Sequence, residues 1–300
     1  MNANLIQYIF VLFLFGSNGI VASFILLSSY EIVYWRTLIA SAFLIGLFIV
    51  SRQKLTIFRH KKDAFYLSVG GAALGASWIF LFEAYAQIGV SISTLLYYCG
   101  PVIVMVLAPI IFKEKLTAIK IISFVVVLCG MVLVNRDAFI QGEFSIGILL
   151  GLLAACMYAV MVVFNKKGQA IQGLENTAIQ LVAAFFIVFI YNISKGSFIA
   201  NIDEHSIVPM IVLGFVNTGF GCYLYFSAIG KLPVQSMSIL GYLEPLSALL
   251  LSAMFLNEVL SVLQLIGAAC IIGGAALGEL YKGPQKNIAK QRQRLSESSF

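Results

Sequence analysis

Charge is scarce in this chain. Asp, Glu, Lys and Arg together make up 11% of its 300 residues, against 61% hydrophobic. A water-soluble domain cannot hide that much apolar surface, so a soluble fold is excluded. Histidine is scarcer still. His60 and His205 stand alone, and neither a His-Glu-x-x-His nor a Gly-x-Ser-x-Gly motif is present, which removes the common zinc-hydrolase and serine-hydrolase readings. The five cysteines, Cys99, Cys129, Cys156, Cys222 and Cys270, are scattered through apolar runs. That fits inert buried thiols, not a disulfide framework or a metal site. The string Gly-Gly-Ala-Ala-Leu-Gly occurs at Gly70–Gly75 and Gly273–Gly278, each time inside an apolar run with no strand before it. A phosphate-cradling loop is therefore rejected. ATP is not expected as a power source, and no cofactor is expected.

Long apolar runs are abundant, and the mean hydropathy is +0.98. Runs of about 18 or more apolar residues read as membrane spans. Ten can be placed: Leu5–Leu27, Ile32–Val50, Ala64–Ile88, Ser91–Phe112, Ala118–Val134, Ile146–Phe164, Thr177–Ile193, Ile207–Ile229, Val234–Leu256 and Leu260–Leu280. The first has no cationic region before it and leads straight into a second span, so it is not read as a cleaved signal peptide. With the N-terminus inside, sixteen Lys and Arg fall on inner segments and only Arg136 and Lys195 on outer loops. This positive-inside bias predicts a cytoplasmic-membrane protein with both termini cytoplasmic. It also accounts for the net charge of +6 without nucleic acid. The segment 282–300 is polar and basic, and is expected to be a disordered cytoplasmic tail.

The chain repeats itself at a shift of 144 residues. Glu31 meets Glu175, Gly75 meets Gly219, Phe82 meets Phe226, Tyr98 meets Tyr242, Pro101 meets Pro245, Glu114 meets Glu258 and Gly130 meets Gly274, with no gap. Residues so related are called register partners below. The repeat divides the chain into 1–137 and 138–281, each with five spans. Five is odd, so the second unit enters from the opposite face. The expected fold is an all-α integral membrane protein of ten transmembrane helices in two inverted five-helix repeats, an architecture of secondary transporters.

These residues carry a resemblance. The pattern Pro101, Glu114-Lys115-Leu116 and Gly130 recurs as Pro245, Glu258-Val259-Leu260 and Gly274, with Gln264-Leu265-Ile266-Gly267 between. Together with Arg36 early in the second span, it resembles the drug/metabolite transporter superfamily and its bacterial EamA-type members, from about Leu5 to Leu280. One departure is Phe15-Gly16, where many members show Trp-Gly. The resemblance implies transport of a small metabolite and says little about which one.

Among candidate site residues, Glu244 leads. It lies ten residues past Val234, about 15 Å into the membrane and near its centre. An acidic group there costs roughly 2.5–3.5 kcal/mol unless it faces a cavity or a partner. Glu244 either binds a solute or a proton, or is a protonated structural glutamate bonded to a neighbouring helix. Pro245 beside it and Pro101 in the other half are expected to kink their helices and free backbone carbonyls. Arg36 and Glu83 sit near the outer surface, where they can form an ion pair with each other; alternatively Arg36 clamps a substrate carboxylate. Glu114 and Glu258, at span ends on opposite faces, read as caps or gate contacts. Asn18, Trp78, Tyr97, Tyr98, Tyr158, Asn217 and Tyr242 lie near mid-depth, where aromatic faces attract cations or simply pack. Tyr242 and Glu244 are about 200° apart on a straight helix. No metal site is expected.

Glu83 and Glu244 against Arg36 leave a net interior charge of minus one, which favours an amine or amino-acid-like solute. The expected function is a secondary transporter working by alternating access, with protons as a coupling partner. Its partners are a small-molecule solute and the lipid bilayer. A solute-binding receptor or scaffold and an integral-membrane enzyme remain as alternatives. Small-xxx-small glycine spacings such as Gly71-xxx-Gly75 permit close helix approach, within one bundle or in a homodimer.

Overall fold

Helices are the expected answer to an apolar solvent, because only a helix or a closed barrel satisfies every backbone polar group there. The computed structural model describes residues 3–134, 146–196, 203–255 and 261–280, which form helices joined by short loops; side chains are described for all of these except 89–92, 95, 252 and 279. The boundary at 137/138, the tail 282–300 and Glu258 lie outside them. In chain order the helices are α1 Ala3–Gly16, α2 Asn18–Ser23, α3 Ser29–Val50, α4 Lys61–Tyr97, α5 Cys99–Ile111, α6 Ala118–Val134, α7 Ile146–Lys167, α8 Gly173–Ser194 and α9 Glu204–Ile211. A π-helical segment, Val212–Phe220, then leads to α10 Gly221–Ile229, α11 Val234–Leu240, α12 Leu243–Phe255 and α13 Val262–Leu280. Among the described residues, seven helical stretches are long and apolar enough to cross a membrane, and Cys99–Ile111, Ala118–Val134 and Val262–Gly278 are shorter apolar helices.

Local chemistry sets several boundaries. Ser28 and Glu31 form a capping box that starts α3: the Ser28 N–H donates to the Glu31 carboxylate at 2.9 Å, and the Ser28 hydroxyl bonds the same group. Glu175, the register partner of Glu31, does something else. Its buried carboxylate accepts the Thr56 and Ile57 N–H groups at 2.7 and 2.8 Å and the Thr56 hydroxyl at 2.6 Å, tying a loop of the first half to the second. The two prolines do not kink helix interiors as expected. Pro101 and Pro245 each lie in the first turn of a new helix, α5 and α12, where a missing N–H costs nothing. The breaks fall just before them, at Tyr98 and at Gly241–Tyr242.

Helical hydrogen bonding runs through 88–91, where the sequence predicts a turn, yet the chain still doubles back. Along α7, Ala154 accepts the Ser77 hydroxyl, and a Cβ on Gly147 would touch Gln87 and Ile88. A Cβ on Gly151 would touch Leu96, and one on Gly100 would touch Tyr158. The neighbours of α7 therefore ascend to Ile88 and then descend again. Thr94 also donates to the Tyr85 hydroxyl at 3.2 Å, although nine residues of straight helix span about 13.5 Å.

The two halves pack by exchanged contacts. A Cβ on Gly130 of α6 would lie 2.6 Å from the Gly267 carbonyl of α13, and one on Gly274 would lie 2.8 Å from the Ser123 carbonyl. Gly130 partners Gly274, and Ser123 partners Gly267, so each contact is the register image of the other. The two helices run antiparallel through them. At the break points, Tyr242 donates its hydroxyl to the carbonyl of Tyr98, its own register partner, at 2.7 Å.

Candidate functional site

A cavity of about 630 Å³ reaches from the 23–29 loop to Glu244 and Ala248 on α12. Of the residues singled out from sequence, it brings together Asn18, Arg36, Trp78, Tyr98, Tyr158 and Glu244, with Tyr97 beside them. Glu244 stands in the first turn of α12, where free N–H groups and the helix dipole favour a negative charge. Among the described residues its carboxylate meets no hydrogen-bond donor and no ion-pair partner. The Gly241 carbonyl, expected to be freed by Pro245, accepts the Glu244 N–H at 3.2 Å instead.

Arg36 lines the same cavity from α3 and is buried. It is not paired with Glu83, contrary to the sequence expectation. Its Nε donates to the Thr218 hydroxyl at 2.9 Å, and the guanidinium carbon lies 4.8 Å from the centre of the Trp78 ring. Thr218 sits in the π-helical segment and bonds back to the Leu213 carbonyl at 2.7 Å. Widened turns of this kind re-aim side chains. Glu83 faces another neighbour: Lys195 lies 3.0 Å away, and the Tyr191 hydroxyl bonds its carboxylate. Both partners come from the end of α8, a neighbour that depth along a span cannot reveal.

Two further candidates do not line the cavity. Tyr242 is fully buried in the break before α12, packed on Tyr98 and Phe124. The chain breaks at Gly241–Tyr242, yet the break does not bring Tyr242 into the cavity that Glu244 lines. Asn217 is buried on the π-helical segment, with its amide near Leu14 O, Ser17 Oγ and Asn18 Oδ1 at 3.2, 2.9 and 3.0 Å. It staples the break between α1 and α2, and so positions Asn18 at the cavity.

The cavity's aromatic wall is larger than sequence reasoning found. Tyr158 and Tyr225 share a hydrogen bond at 2.8 Å, and Tyr97 packs edge-on against Tyr158 at 5.6 Å. Tyr225, Tyr85 and Cys222 were missed. A signal existed: Leu74, Trp78, Leu81, Phe82 and Tyr85 are one helical stripe of α4, and all line the cavity. The register partners of Trp78, Leu81 and Phe82 are Cys222, Tyr225 and Phe226, which line it from α10.

Glu114 is a cap. Its carboxylate accepts the Val234 and Gln235 N–H groups at 2.9 and 3.3 Å, closing the start of α11 from the other half. Glu114→Ala is expected to cost about 1–2 kcal/mol, in the range of a lost helix cap. The measurement is the thermal midpoint of the purified protein. Glu114 does not line the cavity, so a change in apparent solute affinity in this variant would report a loosened inner end and not a lost solute contact.

An aromatic cavity holding an arginine and a carboxylate that meets no partner among the described residues, inside a bundle of apolar helices, fits a multi-pass membrane protein that handles a small-molecule solute. Comparison with known proteins agrees. The chain belongs to the EamA-like transporter family, which matches it twice, over residues 4–136 and 145–278, and with it to the drug/metabolite transporter superfamily. It is 27% identical over 289 residues to the uncharacterized transporter YxxF of Bacillus subtilis, covering 95% of this chain and 92% of that one. It is 23% identical over 260 residues to the uncharacterized inner membrane transporter YhbE of Escherichia coli K12, covering 81% and 80%. A crystal structure with 17% identity superposes with a TM-score of 0.81 over 93% of this chain and 98% of the other, which speaks for the fold. The protein is a membrane transporter.

Proposed function

We propose that the chain is a secondary transporter that moves a small zwitterionic, amino-acid-like solute by alternating access, with a proton competing for the same carboxylate. The observation carrying this reading is the pairing of opposite charges in one cavity without direct contact between them. Glu244 has no partner among the described residues, and Arg36 is held in place by Thr218 and Trp78. Glu83 is engaged elsewhere, so the cavity's own formal charge is zero and not minus one. A solute offering an ammonium to Glu244 and a carboxylate to Arg36 complements it, with the tyrosines covering its body. The volume, about 630 Å³, suits such a solute plus water.

Ten membrane crossings in two inverted repeats, 1–137 and 138–281, fit the exchanged α6–α13 contacts. Antiparallel helices related by a two-fold axis require that axis to lie across them, in the membrane plane. The positive-inside distribution supports a bacterial inner-membrane setting with both termini cytoplasmic. In that orientation the cavity reaches the outer face at the 23–29 loop. The inner side is held shut by Tyr8 donating to the Met237 carbonyl at 3.1 Å and by Glu114 on α11. Opening these contacts and closing the outer mouth would expose Glu244 to the cytoplasm.

Counterflow in proteoliposomes tests this. Vesicles loaded with unlabelled amino acids should take up a labelled zwitterion saturably and transiently above equilibrium, and a simple channel cannot produce that overshoot. Saturable binding with no flux for any amino acid or amine would make the protein a receptor instead.

A further inference from the structure

We infer that a second solute site lies at the inner end of the bundle, in a pocket of about 530 Å³ that closes around Asn165, Asn176, Ser227 and Lys231. The inference rests on the transport reading for its biological role, and on the pocket's own chemistry for its existence.

The pocket is related to the central cavity by the repeat. Five of its lining residues are register partners of residues lining the cavity near its outer mouth. At three of these the chemistry changes: Gln169 stands where the outer mouth has Ile25, Asn176 where it has Ile32, and Gly173 where it has Ser29. Another of the five, Phe226, partners Phe82 and lines both spaces, so its buried ring is part of the wall between them. The inner pocket is thus the counterpart of the outer entrance, with amides in place of aliphatic side chains.

Those amides are wired so that acceptors remain free. Asn176 donates to the Ile171 carbonyl at 3.3 Å, and its Oδ1 accepts from Gln180 at 2.6 Å and from Asn165 at 3.3 Å. This chain fixes the Asn165 amide with its nitrogen toward Asn176. Asn165 is 1% exposed, and its Oδ1 has no hydrogen-bond partner among the described residues. The Ser227 hydroxyl, of a residue lining the same pocket, is also buried without a partner among the described residues. Buried polar groups are ordinarily paired, so two such atoms on one pocket point to a ligand that supplies the missing bonds. Among the described residues Lys231 is the one charged side chain in the lining, and no carboxylate joins it. The complementary ligand donates N–H groups to Asn165 and offers a carboxylate to Lys231. That is a small zwitterion, the class that the central cavity takes, met here before or after it passes the Phe226 wall.

The test is saturation-transfer NMR on the full-length purified protein, with a pool of the twenty standard α-amino acids as probe. Four forms are compared: wild type, Glu244→Gln, and Glu244→Gln combined with Asn165→Leu or with Lys231→Gln. Glu244→Gln removes the central carboxylate, and it is expected to retain signal on at least one zwitterion. Each added substitution should cut that signal at least tenfold. Lys231 is exposed, so its removal does not threaten the fold, and a single gel-filtration peak confirms this for both. Silence in Glu244→Gln, or a signal indifferent to both added changes, overturns the second site. Silence of the pool on wild type overturns it too, together with the zwitterion class. The two readings fail separately. Counterflow in wild type with a silent Glu244→Gln leaves transport standing without the second site. Binding that depends on Asn165 in a protein without counterflow leaves the site standing without transport.

Discussion

Glu244→Gln is expected to lower the affinity of the central cavity for its solute roughly thirty- to several-hundred-fold while leaving the protein folded. The size follows from the contact removed. Truncating one partner of a desolvated charge pair costs about 2–4 kcal/mol, and each 1.4 kcal/mol is about tenfold. The fold is expected to survive because the carboxylate has no protein partner to orphan, and the amide keeps its shape. Most buried charges behave in the opposite way, since removing one strands another. A proton competing for Glu244 adds a second signature: wild-type affinity weakens as pH is lowered, and the Gln variant shows a flat, weak response. Solute titrations by calorimetry at several pH values read both effects. A Gln variant that binds as tightly as wild type, with the same pH profile, would make Glu244 structural and move the ammonium site elsewhere.

How much of this was legible beforehand depends on what each feature requires. Apolar runs and the 144-residue register state local facts, so the helices and the correspondence of Tyr98 with Tyr242 could be read from the chain, though not that the helices break there. The depth of Glu244 followed from its distance to Val234, and it does line the cavity. Features set by lateral neighbours could not be read. Depth alone put Glu83 level with Arg36, but α8 brings Tyr191 and Lys195 to Glu83, and the π-helical segment brings Thr218 to Arg36. That segment has no counterpart in the first half, where the partner stretch 68–76 is ordinary α-helix, so the repeat could not announce it. The prolines were read as kinks because proline breaks helix interiors. The chain instead restarts its helices just before them, which lets Tyr242 spend its hydroxyl on the Tyr98 carbonyl rather than on the cavity. The tyrosine wall was half legible, since a stripe through Trp78 carried across the register leads to Tyr225.

Gly130→Val is expected to abolish most folded protein, and Gly273→Val, one residue short of Gly274 on α13, to be tolerated. The contrast isolates backbone approach from helix propensity, because both substitutions put the same β-branched residue inside a helix. At Gly130 an added Cβ would stand 2.6 Å from the Gly267 carbonyl oxygen and 2.9 Å from the Cys270 Cβ. Neither the backbone oxygen nor a Cβ can swing aside, so α6 and α13 must part. Overpacking in a filled interior costs about 1–3 kcal/mol. The cost should reach the upper end here, since close approach through small residues holds membrane helices together without a hydrophobic drive. At Gly273 no heavy atom lies within 4 Å of an added Cβ, and changes at such open sites stay within about 0.5 kcal/mol. Fluorescence-detected gel filtration and the thermal midpoint are the readouts. Gly267→Val should match Gly130→Val, since each glycine faces the other's carbonyl. Gly130 and Gly267 share one contact, so the double variant should fall short of the sum of the singles. Gly274→Val tests the register image of that contact, against the Ser123 carbonyl at 2.8 Å. A Gly274 variant as stable as wild type would mean that the two images carry unequal weight, and that the seam between the halves is symmetric in register but not in energy.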